Sequence, residues 1–180
     1  MLPALADPVY NACADKGLEM LEFLLAASVT SNSVPAIVGA LEGCWKAPGE
    51  VRGKNATSVA RGEWHLGRRY FVLHLKSVPP AEPYEAAITY GAGEKEGGIG
   101  SFWMDTFGGL YEPSLGLGGV EAGGFNLDYR FKDAVYHNSF QRVGKGWRWT
   151  IIEQPFGNPQ KLFARYDLAR TSCRGLVFGF

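Results

Sequence analysis

The side chains best suited to chemistry in this chain are three histidines, His65, His74 and His137, and the carboxylate of Asp105. An imidazole titrating near neutrality beside a carboxylate can pass a proton, so His74 with Asp105 is a candidate acid–base pair for an enzyme. Each of these residues also has a plainer expectation. His74 and His137 are flanked by apolar residues of strand character, where a histidine satisfied by its neighbours or facing solvent is the ordinary case. Asp105 precedes Thr106-Phe107-Gly108-Gly109, so its carboxylate is expected to accept hydrogen bonds from a turn. No HExxH segment occurs and no two histidines stand at metal-ligand spacing, so no metal site is expected.

Other fingerprints are missing too. Gly116-Leu117-Gly118 opens like a dinucleotide loop, but Glu121 stands where the third glycine belongs, and no βαβ context surrounds it. Lys54 and Lys145 follow glycines without the Ser or Thr of a phosphate loop, and neither Ser101 nor Ser114 sits in a G-x-S-x-G elbow. No catalytic residue and no cofactor is therefore assigned. Arg130 and Arg165 are candidates to anchor a carboxylate inside a barrel. Tyr166 follows Arg165 directly and must face the other way, so the Arg-x-Tyr anchor of intracellular lipid carriers is not reproduced.

The elements that must position these groups follow from composition and period. With 180 residues the chain suffices for one domain that needs no metal or disulfide staple. Aromatic residues make up 13 % and there are 24 glycines, a pairing that suits aromatic strands separated by Gly-rich turns. The formal net charge is zero and the basic residues are dispersed, which argues against a nucleic-acid partner. Cys13, Cys44 and Cys173 are odd in number and widely spaced, so neither a zinc site nor a disulfide framework is expected, and a reducing compartment fits. Leu18 to Val29 is apolar but short, and Asp7, Asp15, Glu19 and Glu22 surround or interrupt it. It reads neither as a signal peptide nor as a membrane span, and the expected location is cytoplasmic, away from membranes.

Residues 8 to 29 carry a helical stripe through Leu18, Leu21 and Leu25. The apolar residues nearly encircle this helix, so it must pack on the rest of the chain or on a second subunit, which makes a homodimer a candidate. Ser33 is the expected N-cap of a second short helix ending at Gly43. From Cys44 onward the period becomes two. Strands are expected over Val59 to Leu66, Arg69 to Ser77, Tyr84 to Tyr90, Ile99 to Thr106, Phe125 to Phe131, Val135 to Gln141, Trp147 to Glu153 and Leu162 to Arg170. Short strands with turn chemistry between them signify a sandwich or a barrel. Gly108 to Gly124 has seven glycines in seventeen residues and is expected to be an irregular loop, with a lid over a barrel mouth as the sharper alternative.

Two resemblances decide between sandwich and barrel. Gly43-Cys44-Trp45 places G-x-W at the first strand, and Arg170 ends the last. This resembles the lipocalin-like (calycin) superfamily, which implies that Arg170 packs over Trp45 and closes the barrel base. Gly62 to Val72 and Ser101 to Gly108 are similar, in the same order, to the E-W-x-L-G-G-R-F and W-x-D-S-x-G segments of the DUF1579 family, with Arg68 replacing one glycine. That resemblance covers roughly residues 37 to 170 and implies a lipocalin-like barrel of uncharacterised function.

The expected fold is thus all-β: one closed antiparallel lipocalin-like barrel of about eight to ten strands with a short N-terminal helical segment. The chain is divided into the helical segment at 1–42, the barrel at 43–170 and a tail at 171–180. Non-covalent binding of a small, largely apolar ligand is the expected function, with Leu73, Trp103, Tyr129, Trp149 and Tyr166 lining its site. The alternatives are a haem-binding barrel of the nitrobindin type, with His74 or His137 as axial ligand, and an enzyme using a lumenal acid–base pair.

Overall fold

A computed structural model describes residues 33–108 and 114–178. Alternation of large apolar and polar side chains, as in Phe125-Asn126-Leu127-Asp128-Tyr129, makes one face of each strand buried and the other wet. Ten strands follow in chain order: β1 Gly43–Val51, β2 Lys54–His65, β3 Tyr70–Val78, β4 Glu85–Ala92, β5 Gly98–Asp105, β6 Ser114–Glu121, β7 Gly124–Arg130, β8 Ala134–Val143, β9 Gly146–Pro155 and β10 Lys161–Thr171. Each pairs antiparallel with its neighbours in sequence, and β1 pairs with β10, so the sheet closes into a barrel with no free edge. No helix among the described residues is long and apolar enough to cross a membrane.

One end of the barrel is plugged. The short helix α1, Ala36–Gly39, lies just before β1, and Val34, Val38 and Leu41 around it are buried in the core. Pro35 occupies the N-cap position and no side chain caps the helix, so Ser33 does not take the role expected of it. Trp45 donates its indole N–H to the Leu41 carbonyl at 2.8 Å. The Arg170 guanidinium lies 4.0 Å from the Trp45 ring centroid and donates to the carbonyls of Ala40, at 3.2 Å, and Glu42. Two similar pairs stand at the same end: Arg68 lies 4.4 Å from Trp64 and Arg142 lies 4.7 Å from Trp147. Each contact is worth about 0.5–2 kcal/mol according to its exposure.

Two further expectations are corrected here. Cys44 at the start of β1 and Cys173 just after β10 form a disulfide, although their separation of 129 residues gave no hint of pairing. The pairing arises because closure places Cys44 opposite Thr171, two residues from Cys173. The glycine-rich stretch is a strand over Ser114–Glu121 instead of a loop. A Cβ at Gly116 would meet the Tyr129 ring at 2.7 Å, so the missing side chain lets that ring cover the strand and supply the packing that glycine lacks. The helix expected at 8 to 29, the subunit contact assigned to it, Cys13, and residues 109–113 of the suggested lid lie outside the described residues.

The disulfide and the arginine clasp fasten the same seam, so each should be measurable in stability. Reduction, or Cys173→Ser, is expected to lower the unfolding free energy by about 2–5 kcal/mol, because it frees a very long loop of the unfolded chain. Arg170→Met should cost roughly 1 kcal/mol through the lost cation–π contact. Urea unfolding of the three proteins, oxidised and reduced, checks both values.

Candidate functional site

The lumen is built from alternate residues of all ten strands. Its lower part, next to α1, is solid. Phe125 and Phe140 stack with centroids 4.6 Å apart, and Phe140 stacks on Trp149 at 4.9 Å. Trp147 meets Phe125 edge-on at 6.3 Å, and Leu73, Ile88, Tyr90 and Ile99 complete the packing. Aromatic rings at these separations fill the space between them and leave no slot for a guest of ring size.

Above Trp149 the character changes. Trp103 and Tyr84 are only partly buried and lie toward the end of the barrel opposite α1. Trp103 meets Trp149 at 5.7 Å and Tyr129 edge-on at 5.5 Å, while Tyr166 lies 5.4 Å from Trp149. The polar atoms of this upper lumen are joined in short chains. The indole N–H of Trp103 donates to the Tyr84 hydroxyl at 3.0 Å, and that hydroxyl donates to Asp105 Oδ2 at 3.1 Å. Ser101 and Tyr129 share a hydrogen bond of 2.7 Å, and the Trp149 indole N–H donates to Asn138 Oδ1 at 2.9 Å. Buried polar groups must find partners, and each of these has one. At the rim, Tyr136 meets Phe131 and Phe163 edge-on, and the Arg52 guanidinium lies 5.0 Å from the Phe163 ring.

Leu73, Trp103, Tyr129, Trp149 and Tyr166 all face the lumen, Leu73 in the packed lower part and the others from Trp149 upward. Trp45 and Arg170 sit together at the base, as described above. Tyr84 opens an expected strand but is not among the expected lining residues, though it stands in phase with the inward Ala86 and Ile88 and could have been found from that alternation. Asp105 does accept a turn N–H, from Phe107 at 2.9 Å, in addition to the Tyr84 hydroxyl.

The candidate groups of the alternative readings point the other way. In β3, Phe71, Leu73 and Leu75 face the lumen, so His74 projects from the outer face. His137 is also on the outer face, bonded through Nδ1 to Asp128 Oδ1 at 2.7 Å, and His65 is exposed at the end of β2. No histidine of the chain is available inside the barrel as an axial ligand, so the residues present do not fit a lumenal haem. His74 and Asp105 lie on opposite sides of the sheet, which ends their candidacy as an acid–base pair. Arg165 is on the outer face with Glu50 at 2.9 Å, and Arg130 is exposed, so neither anchors a carboxylate within the lumen. The β2–β3 register instead gathers Glu63, His65 and His74 on the outer face, a grouping that linear spacing does not display. Burial lowers the His74 pKa from 6.5 despite the opposing attraction of Glu63.

Burial also raises the hydroxyl pKa of Tyr84, Tyr90, Tyr129, Tyr136 and Tyr166 above the ordinary 10.0. For Tyr84 the charge of Asp105 adds to this, and for Tyr166 a hydrogen bond with Ser58 opposes it. These groups hold protons in the folded state that the unfolded chain releases near pH 10. Their contribution to stability is complete below that pH and falls as pH rises toward the folded values. Phenolate absorbance from these five residues should therefore appear only above pH 10 and together with loss of the β-sheet circular dichroism. Ionisation of all five at pH 10 in an intact fold would contradict the packing described.

Comparison with known proteins places the architecture. No protein-family profile and no curated protein matches the chain. Among solved structures, it is similar to Rv2717c from M. tuberculosis, with a TM-score of 0.57, 13 % identity, and coverage of 77 % of this chain and 99 % of that one. It is also similar to the S-type phycobiliprotein lyase CPES from Guillardia theta, with a TM-score of 0.54, 8 % identity, and coverage of 76 % and 92 %. At such identities the likeness is one of fold, and the fold is a closed ten-stranded antiparallel barrel of the lipocalin-like kind.

Proposed function

We propose that this chain binds a small, flat, largely apolar ligand non-covalently at the mouth of the barrel, opposite α1. The observation that carries this reading is the contrast between the two ends. Beside α1 the lumen is packed with rings, whereas at the other end Trp103 and Tyr84 remain partly accessible next to the carboxylate of Asp105. Aromatic faces supply burial at about 25 cal/mol per Å² of apolar surface, and the Tyr84–Asp105 pair fixes the orientation of a polar edge. Tyr129, Trp149 and Tyr166 form the floor under that ligand, and Leu73 supports the floor from below.

The similarity of Gly62 to Val72 and Ser101 to Gly108 to DUF1579 segments supports kinship with that lipocalin-like family. The fold likeness to a phycobiliprotein lyase is in keeping with a barrel that handles a ligand. The Cys44–Cys173 bridge favours an oxidising compartment over the cytoplasm that the cysteine count suggested.

Native mass spectrometry of the purified chain is expected to show a co-released small molecule, and anilinonaphthalene sulfonate serves as a probe when it does not. The probe should bind saturably, and Trp103→Ala should weaken it about tenfold, equivalent to roughly 1.4 kcal/mol. Leu117→Ser, on the exposed outer face of β6, should leave its affinity unchanged. Binding that survives Trp103→Ala but is lost in Leu117→Ser would move the site to the outer surface and sink the proposal.

A further inference from the structure

A second site stands on the outside of the β2–β3 hairpin and does not depend on the mouth. Residues 61, 63 and 65 of β2 face outward, as do residues 72 and 74 of β3. Arg61 lies opposite His74 and Glu63 opposite Val72, so Glu63 has His65 two residues along its own strand and His74 diagonally across. Glu63 Oε1 is 3.4 Å from His65 Nε2 and 3.3 Å from His74 Nε2, and one ligand atom from each of the three residues falls within 4.8 Å of the others.

These separations are informative. A charge-assisted N–H···O bond measures about 2.7–2.9 Å, and both contacts are longer. Two ligands held at about 2.0–2.1 Å from one tetrahedral ion stand roughly 3.3–3.4 Å apart, which matches both. The surroundings suit such an ion. Arg61 Nη2 holds the other carboxylate oxygen, Oε2, at 2.7 Å, which turns Oε1 toward the imidazoles, as outer partners of metal ligands commonly do. His74 is 8 % exposed although it faces outward, and the Phe178 ring of the C-terminal tail lies 5.9 Å from it. His65 is open to solvent, which leaves an entry path.

We infer that Glu63, His65 and His74 form a divalent transition-metal site that takes zinc(II), with a solvent-facing fourth position. Two imidazoles and one carboxylate are a set that zinc accepts, and the open position would carry water or an external donor. Selection against magnesium and calcium follows from the nitrogen ligands, since those ions prefer oxygen.

The test is zinc titration by calorimetry on the full chain, disulfide intact and stripped with chelator, supported by cobalt(II) absorption. One zinc per chain is expected, and cobalt(II) should give the intense visible bands of a tetrahedral ion. His65→Ala and Glu63→Gln should each weaken zinc by at least about 10–100-fold, the loss that outer partners of such sites already cause. His137→Ala should change nothing. Should His74→Ala fail to fold, the variants at exposed His65 and half-buried Glu63 still decide the matter. Zinc affinity unchanged in both His65→Ala and Glu63→Gln, or no saturable binding at all, would overturn the inference.

Discussion

Closure of the barrel is the constraint on which the rest of this molecule depends, and it is made where β1 meets β10. An open sheet of ten strands would expose two edges and one face of aromatic side chains, whereas a closed one leaves every strand paired on both sides. The seam is fastened at its lower end by covalent and electrostatic means together. Cys173 returns to Cys44, and Arg170 covers Trp45 while donating to the carbonyls of Ala40 and Glu42 between α1 and β1. The clasp therefore joins three things: the first strand, the last strand and the plug. It also anchors the tail that brings Phe178 to His74.

Closure divides the side chains by parity. Each strand sends alternate residues into a space that must be filled, and the chain fills most of it with rings. Tyrosine and tryptophan bring polar atoms with them, and these find one another in the upper lumen, in the Trp103–Tyr84–Asp105 chain and the Ser101–Tyr129 and Trp149–Asn138 pairs. The lower half is sealed by packed rings that leave the indole N–H groups of Trp64 and Trp147 without a hydrogen-bond partner, while the upper half joins its polar atoms in chains and meets solvent. That gradient along the barrel axis leaves the partly accessible aromatic surface of the lumen, Trp103 and Tyr84, at the mouth.

The same parity sends every histidine outward. Side chains that could have served catalysis or haem ligation inside the barrel are placed on its outer surface, where they meet cross-strand neighbours. His137 finds Asp128 directly opposite, and His65 and His74 converge on Glu63. The chemistry of the lumen is consequently one of apolar contact and hydrogen bonds, with the Asp105 carboxylate at the mouth. The outer face of β2 and β3 gathers nitrogen and oxygen donors in a shape of its own.

The sequence by itself determined the all-β class and the approximate positions of eight strands, β2–β5 and β7–β10, because period-two alternation is written residue by residue, while closure of the barrel decided which face of each turns inward. Resemblance in Gly43 to Trp45 and near Arg170 was enough to choose barrel over sandwich. It could not show the strand in Ser114–Glu121, whose packing comes from Tyr129 on the neighbouring strand instead of from its own side chains. Nor could it show the Cys44–Cys173 bridge, since the two residues stand at opposite ends of the barrel sequence and meet only when the ring closes. The meeting of Glu63 with His65 and His74, and the separation of His74 from Asp105, were settled by register and by which side of the sheet each residue takes. A one-residue shift of β3 against its two neighbours would reverse both outcomes, and the closed, fully paired barrel holds its register fixed.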